Sequence, residues 1–179
     1  MRQVLNGDPT VPVGLTARGE EQARALGAAT GAVDVAFHTS FERTRRTAEL
    51  AWPGAPLVPL AELDEIRFGS WEGTSWDDGY AEWVRAAPPD EACPGGGESR
   101  TAAVRRYVRG YRTLLGRPEE TIAVVAHGAP VRYLLLAAAD ATPSALLEHV
   151  PPAEPFRVEA GALERAVEVL ERWLEAPAF

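Results

Sequence analysis

The chain has 179 residues, 46% hydrophobic and 25% charged, which fits one globular domain with a real core rather than a disordered polymer. Its net charge of −8 excludes nucleic acid or an anionic membrane as a bulk electrostatic partner, but leaves room for a small anion in a locally basic pocket. The single cysteine, Cys93, excludes an internal disulfide and suits the cytoplasm; no apolar run approaches the ~20 residues of a membrane span, and the first ten residues lack the apolar core of a signal peptide.

Residues 1–14 carry Asn6, Gly7, Asp8, Pro9, Pro12 and Gly14 and read as loop. "LTARGEEQARALGAA" reads as a helix with Thr16 as N-cap and Glu20 and Glu21 near its positive end. "VDVAFHTS" is a short strand ending near His38, and "SFERTRRTAELAW" a second helix stopped by Pro53. "PLVPLAELDEIRFGSWEG" begins as a strand and turns into loop; "WDDGYAEWVRAA" predicts a short helix. Gly and Pro crowd "PPDEACPGGGES", so residues 74–97 are expected to form a variable lid or insertion. A long helix follows, with Ala103, Tyr107, Tyr111 and Leu114 along one side. "TIAVVAH" is a continuous apolar run, as expected of a parallel strand buried on both faces. "APVRYLLLAAAD" predicts an apolar helix, and Leu163, Val167, Leu170 and Leu174 predict a last amphipathic one. Strands alternating with helices make this an α/β chain with a mostly parallel sheet, residues 1–179 forming a single domain.

Ligands of open α/β sheets bind at the carboxyl ends of the strands. His127 falls at such an end, followed by Gly128 and a new helix whose free N–H groups can take an anion. A histidine that only caps strand packing is the plainer alternative. Arg43 falls in the first turn of its helix, capped by Thr39 or Ser40, where a cation opposes the helix dipole. Either a bound phosphate resolves that conflict, or Arg43 pairs with Glu42 or Glu49 on the surface. Glu65 and Glu72 are both candidates to protonate a leaving oxygen, with a solvated loop as the alternative for each. "CPGGGESR" places six residues between Cys93 and Arg100, one more than the loop of cysteine-dependent phosphatases, so Cys93 is a weak rival nucleophile.

These stretches, in this order, resemble the histidine phosphatase superfamily, the phosphoglycerate mutase-like family. "LTARGEEQARALG" is similar to its LTxxGxxQAxxL helix, "TSFERTRRTAE" to its SxxxRxxxTA segment, "LDEIRFGSWEG" to its LxExxxGxWEG segment, "GGGESR" to its GES segment, and "VVAHGAPVRYLL" to its second-histidine motif. The match runs from about residue 6 to about residue 135. The resemblance implies a three-layer α/β/α sandwich. It implies a phosphomonoester hydrolase, or alternatively a mutase-type phosphotransferase, working through a phosphohistidine with no metal or cofactor. Arg43 and His127 would clamp the phosphoryl oxygens beside Gly128, Glu65 would be the proton donor ahead of Glu72, and Asn6 and its loop would touch a small phosphorylated substrate.

One family signature is missing: an Arg-His-Gly triplet, whose histidine is the nucleophile, occurs nowhere in the chain. His38 precedes Thr39 and His149 precedes Val150, so neither stands in by motif. The expectation is therefore a family member lacking its first strand, nearly inactive as written, or a non-catalytic phosphate-binding relative. Loss of a central strand would leave neighbouring strands with unpaired backbone groups. The residues of the 74–97 stretch name no particular phosphomonoester, and nothing in the sequence sets an oligomeric state.

Overall fold

The computed structural model describes residues 4–179, so the first three residues of the expected N-terminal loop lie outside it. Among the described residues three strands, β1 (Val35–His38), β2 (Leu57–Pro59) and β3 (Ile122–Val125), form a parallel sheet in the order β2-β1-β3. Six α-helices among the described residues accompany them: α1 (Ala17–Thr30), α2 (Glu42–Ala51), α3 (Tyr80–Ala86), α4 (Arg100–Leu115), α5 (Gly128–Ala138) and α6 (Ala160–Glu175). This is the α/β/α sandwich that the sequence led one to expect.

The layers follow from strand alternation. Val35 and Phe37 point to the larger apolar cluster, built with Tyr107, Tyr111, Tyr133, Leu170 and Trp173 of α4, α5 and α6. Ala36 and Ala123 point the other way, to a small cluster with Ala48, Ala51 and Trp52 under α1 and α2. Alanines on that face let α2 lie close to the sheet, and Gly27 lets α1 lie close to α2: a Cβ there would stand 1.8 Å from the Ala51 carbonyl oxygen.

The helices begin where local chemistry says they should. Thr16 Oγ1 accepts from the Gly19 amide at 3.1 Å and Ser99 Oγ from the Ala102 amide at 3.1 Å. The expected apolar stripe of α4 is buried throughout, and in α6 Val167 and Leu170 are buried with Leu163 and Leu174 packed beside them. Residues 74–97 include α3, whose Tyr80 and Val84 enter the main core, while Gly95 and Gly96 take left-handed backbone in the loop that follows.

Two expectations are corrected. The cap of α2 is Phe41, with no side-chain hydrogen bond, rather than Thr39 or Ser40. Thr39 instead turns its hydroxyl inward, and Arg43 still lies in the first turn. Second, β3 is not buried on both faces. Among the described residues it pairs only with β1, and Val124 is 37% exposed. An apolar run predicts a strand but not what lies beside it. No helix among the described residues is long and apolar enough to cross a membrane.

Candidate active site

Parallel pairing of β1 with β3 sets His38 opposite Val125, so the residues leaving the two strands, Thr39 and His127, emerge side by side at the carboxyl end of the sheet. His127 is 8% exposed and caps α5, whose first residue is Gly128. Its Nε2 lies 2.8 Å from Thr39 Oγ1 and its Nδ1 3.2 Å from Arg43 Nη2.

The hydroxyls fix the tautomer. Thr44 Oγ1 donates to the Phe41 carbonyl at 2.8 Å, so it accepts from Thr39 Oγ1, also 2.8 Å away. Thr39 Oγ1 in turn accepts from Nε2–H of His127, and the Nδ1 lone pair is left to accept from Arg43. His127 is therefore built as a neutral ring. Burial holds its pKa well below the ordinary histidine value, and the neighbouring Arg43 and Arg106 charges push the same way.

Arg43 is steadied in this position by Phe41: its guanidinium lies over the ring, the carbon 4.2 Å from the centroid, while Phe41 meets His127 edge to face at 4.4 Å. The guanidinium also donates to the Asn6 side-chain oxygen, and to the Asn6 carbonyl at 3.2 Å. It makes no surface pair with Glu42 or Glu49; Arg45 and Arg46 take Glu49 instead, and Arg46 also takes Glu20. Asn6 is brought in by its neighbour. Gly7 packs so tightly on the Ile66 carbonyl that a Cβ would stand 1.9 Å from the oxygen, so only glycine fits.

The two carboxylates have different duties. Glu72 accepts from the amides of Gly7 and Phe68, both at 2.8 Å, and so ties the N-terminal loop to the 66–72 segment. Glu65 sits against the start of α5, its Oε2 3.7 Å from where a Gly128 Cβ would be, and Oε1 accepts from the Ile66 amide at 2.9 Å. Burial raises its pKa; amides of Ile66 and Ala129 and the charges of Arg43 and Arg100 oppose that rise. A carboxyl held toward its neutral form beside a cationic clamp is the profile of a proton donor.

Supports that the sequence did not single out brace these residues. Arg106 of α4 donates to the carbonyls of Glu62, Asp64 and Glu65 at 3.1, 2.8 and 3.2 Å and is paired in turn with Glu98 at 2.7 Å. Asp64 Oδ1 accepts from the Ser40 amide at 2.7 Å, which links the Glu65 segment to the Thr39–Arg43 segment. Spacing alone could not show the contacts to the backbone, whose partners lie 24 to 44 residues apart. Cys93 is buried in the larger apolar cluster, and burial pushes its thiol up to about 11, the opposite of an activated thiolate. His38 turns its Nδ1 to the Thr39 carbonyl at 2.8 Å.

Comparison with known proteins matches the chain over most of its length. The family model "Histidine phosphatase superfamily (branch 1)" matches residues 3–175. The 2,3-bisphosphoglycerate-dependent phosphoglycerate mutase of Brucella melitensis is 29% identical over 152 residues, covering 75% of this chain and 74% of that protein. The alpha-ribazole phosphatase of Shigella flexneri superposes with a TM-score of 0.65 at 28% identity, over 78% of this chain and 73% of that one. A phosphoglycerate mutase of Thermus thermophilus does so with 0.61 at 36% identity, over 84% and 80%. With the matching model spanning nearly its whole length, the chain belongs to the histidine phosphatase superfamily.

Proposed function

We propose that this chain carries the phosphate-binding and proton-donating half of a phosphomonoester hydrolase site and, as written, binds phosphomonoesters with little or no turnover. The observation that supports it most directly is the 3.2 Å approach of Arg43 to His127 at the mouth of α5, with Glu65 beside them. A phosphoryl group placed there meets a guanidinium fork, an imidazole and the N-terminal amides of a helix, which together neutralise the charge that develops on its oxygens. Arg43 exchanges its bonds to Asn6 and His127 for phosphoryl oxygens. His127, relieved of Arg43 and facing an anion, takes up a proton and donates from Nδ1. Glu65 delivers its proton to the departing alcohol oxygen.

What this half lacks is the attacking group. Each of the three histidines is accounted for without an Arg-His-Gly triplet, and none stands in the family's nucleophile motif. The family reaction needs a histidine from outside these 179 residues to bond to phosphorus as the ester oxygen leaves. Calorimetric titration with ethyl phosphate is the direct test. Wild type should bind with uptake of a proton, and Arg43→Met should weaken binding by roughly 10- to 100-fold, the value of a charge-assisted pair. Para-nitrophenyl phosphate should be hydrolysed at near-background rates. Robust hydrolysis by the purified chain, abolished by His127→Ala, would overturn the half-site reading, and no binding at all would overturn the pocket.

A further inference from the structure

Helix α4 leads into β3 and α5 leaves it, so both helices run against the strand and both start at the carboxyl end of the sheet. Their aromatic residues meet level by level. Tyr111 donates its hydroxyl to the Pro130 carbonyl, in the first turn of α5, at 2.6 Å. Tyr107 lies four residues earlier on the same face of α4, so it stands one turn, about 5.4 Å, nearer the carboxyl end of the sheet. That is the level of Gly128, against which Glu65 Oε2 rests. Arg106 gives the same placement from the other side. Its guanidinium donates to the Glu65 carbonyl at 3.2 Å and lies over the Tyr107 ring, the carbon 4.9 Å from the centroid.

Tyr107 is completely buried, and its hydroxyl has no hydrogen-bond partner among the described residues. Such a group is rare and unfavourable in a folded core, which points to a partner that comes and goes. The nearby phenols on α4 and α5 are engaged: Tyr111 is bound to Pro130, and the Tyr133 oxygen, its ring 6.3 Å from that of Tyr107, accepts from Arg100 at 3.3 Å.

Glu65 changes its needs during the reaction. As a neutral acid it carries the proton it will donate. When that proton passes to the departing alcohol oxygen, the electron pair of the broken O–H bond stays on Glu65 and leaves a carboxylate. A carboxylate can accept several hydrogen bonds, and the amides of Ile66 and Ala129 supply two. Arg43 is turned to phosphoryl oxygens at that moment.

We propose that Tyr107 is a positioning residue for the proton donor: its hydroxyl, idle against the neutral acid, donates to the Glu65 carboxylate as that forms and holds it toward the leaving oxygen. The inference rests on Glu65 as the acid of the phosphate pocket. The other groups that face Glu65 are Arg43 from α2, Arg100 from α4, Tyr80 from α3 and Tyr133 from α5. The two cations favour the carboxylate through their charge; Tyr107 adds a directed bond.

The test reads the ionisation of Glu65 itself, by infrared titration of its carboxyl band in the ligand-free chain, the band being assigned by its loss in Glu65→Gln. A donor to the carboxylate favours the ionised form, so removing it raises the midpoint. Tyr107→Phe should move the midpoint up by about one pH unit, the size of a hydrogen bond to a charged group. Its melting temperature should be unchanged or higher, because the lost hydroxyl was unpaired. Tyr111→Phe is the contrast: it breaks the bond to Pro130, so the chain should melt lower while the Glu65 midpoint stays. A midpoint that does not rise in Tyr107→Phe, or that rises equally in Tyr111→Phe, overturns the assignment. Because the titration needs no ligand, the two readings part cleanly. A shift in a chain that binds no ethyl phosphate keeps the Tyr107 bond and retires the pocket; no shift in a chain that binds keeps the pocket and removes Tyr107 from it.

Discussion

His127 is held neutral by two neighbouring atoms that each leave it one choice. Thr39 Oγ1 has spent its own hydrogen on Thr44 and takes Nε2–H; Arg43 can only donate and takes the Nδ1 lone pair. A second proton on the ring would set Nδ1–H against Arg43 Nη2 across 3.2 Å, two donors with no acceptor between them. This has a thermodynamic consequence. The folded-state pKa lies below the unfolded value of 6.5, so the unfolded chain binds the extra proton more readily. His127 thus leaves stability intact above pH 6.5, and stability is lost as the pH falls from there toward the depressed folded value. The slope approaches about 1.4 kcal/mol per pH unit inside that window. Gln at this position offers an amide N–H to Thr39 and a carbonyl oxygen to Arg43 without a titrating proton. Urea midpoints measured from about pH 7 to about pH 5 should therefore fall less steeply for His127→Gln than for wild type, and parallel curves would contradict the neutral-ring assignment. Added ethyl phosphate should shrink the difference, since an anion beside Nδ1 favours the imidazolium.

At the scale of elements, the site depends on α4 as a brace. Arg106 spans from Glu98 to the carbonyls of the segment that carries Glu65, and both charged side chains are nearly buried, at 13% and 11% exposure. Removing one partner of such a pair strands the other's charge along with its hydrogen bonds. Arg106→Met should cost about 3 kcal/mol, read as a shift in urea midpoint, with Glu98 left unpaired as the main cause. The double change Arg106→Met with Glu98→Leu should recover part of that loss; a double variant no better than the single one would place the cost elsewhere. None of this brace could be read from sequence, although the helix itself could. The caps at Thr16 and Ser99 and the stripe from Ala103 to Leu114 are local signals, and they hold. Arg43 and His127 could be singled out as candidates because one lies in the first turn of a helix and the other caps one, whereas Glu65, in irregular chain, came ahead of Glu72 only through the family resemblance. Thr39, Asp64, Arg100 and Arg106 were not legible, because their meaning comes from partners in other elements. The two-sided burial expected of β3 failed for the same reason: apolar residues report a strand, while its neighbours decide whether it is central.

For the whole molecule, that open strand is the feature with the widest consequence. Among the described residues β3 offers one unpaired edge of backbone N–H and C=O groups, flanked by Val124 at 37% exposure and running straight into His127. Its other edge is tied to β1 along its length and at its start, where the Thr121 amide donates to Asp34 at 2.8 Å. An exposed apolar strand edge is a template for another strand. The chain in isolation should therefore self-associate as its concentration rises, through β3 rather than through the charged helix surfaces. A lysine on an edge strand opposes strand addition, because pairing would bury its charge, while in the monomer it stays in water. Val124 packs in neither apolar cluster, so Val124→Lys should shift the melting temperature of the monomer by no more than about 2 °C. Sedimentation velocity over a tenfold or wider concentration range should show wild type moving to larger species and Val124→Lys remaining monomeric. Identical profiles for the two proteins would mean that β3 does not recruit a second strand, and that any association uses another surface.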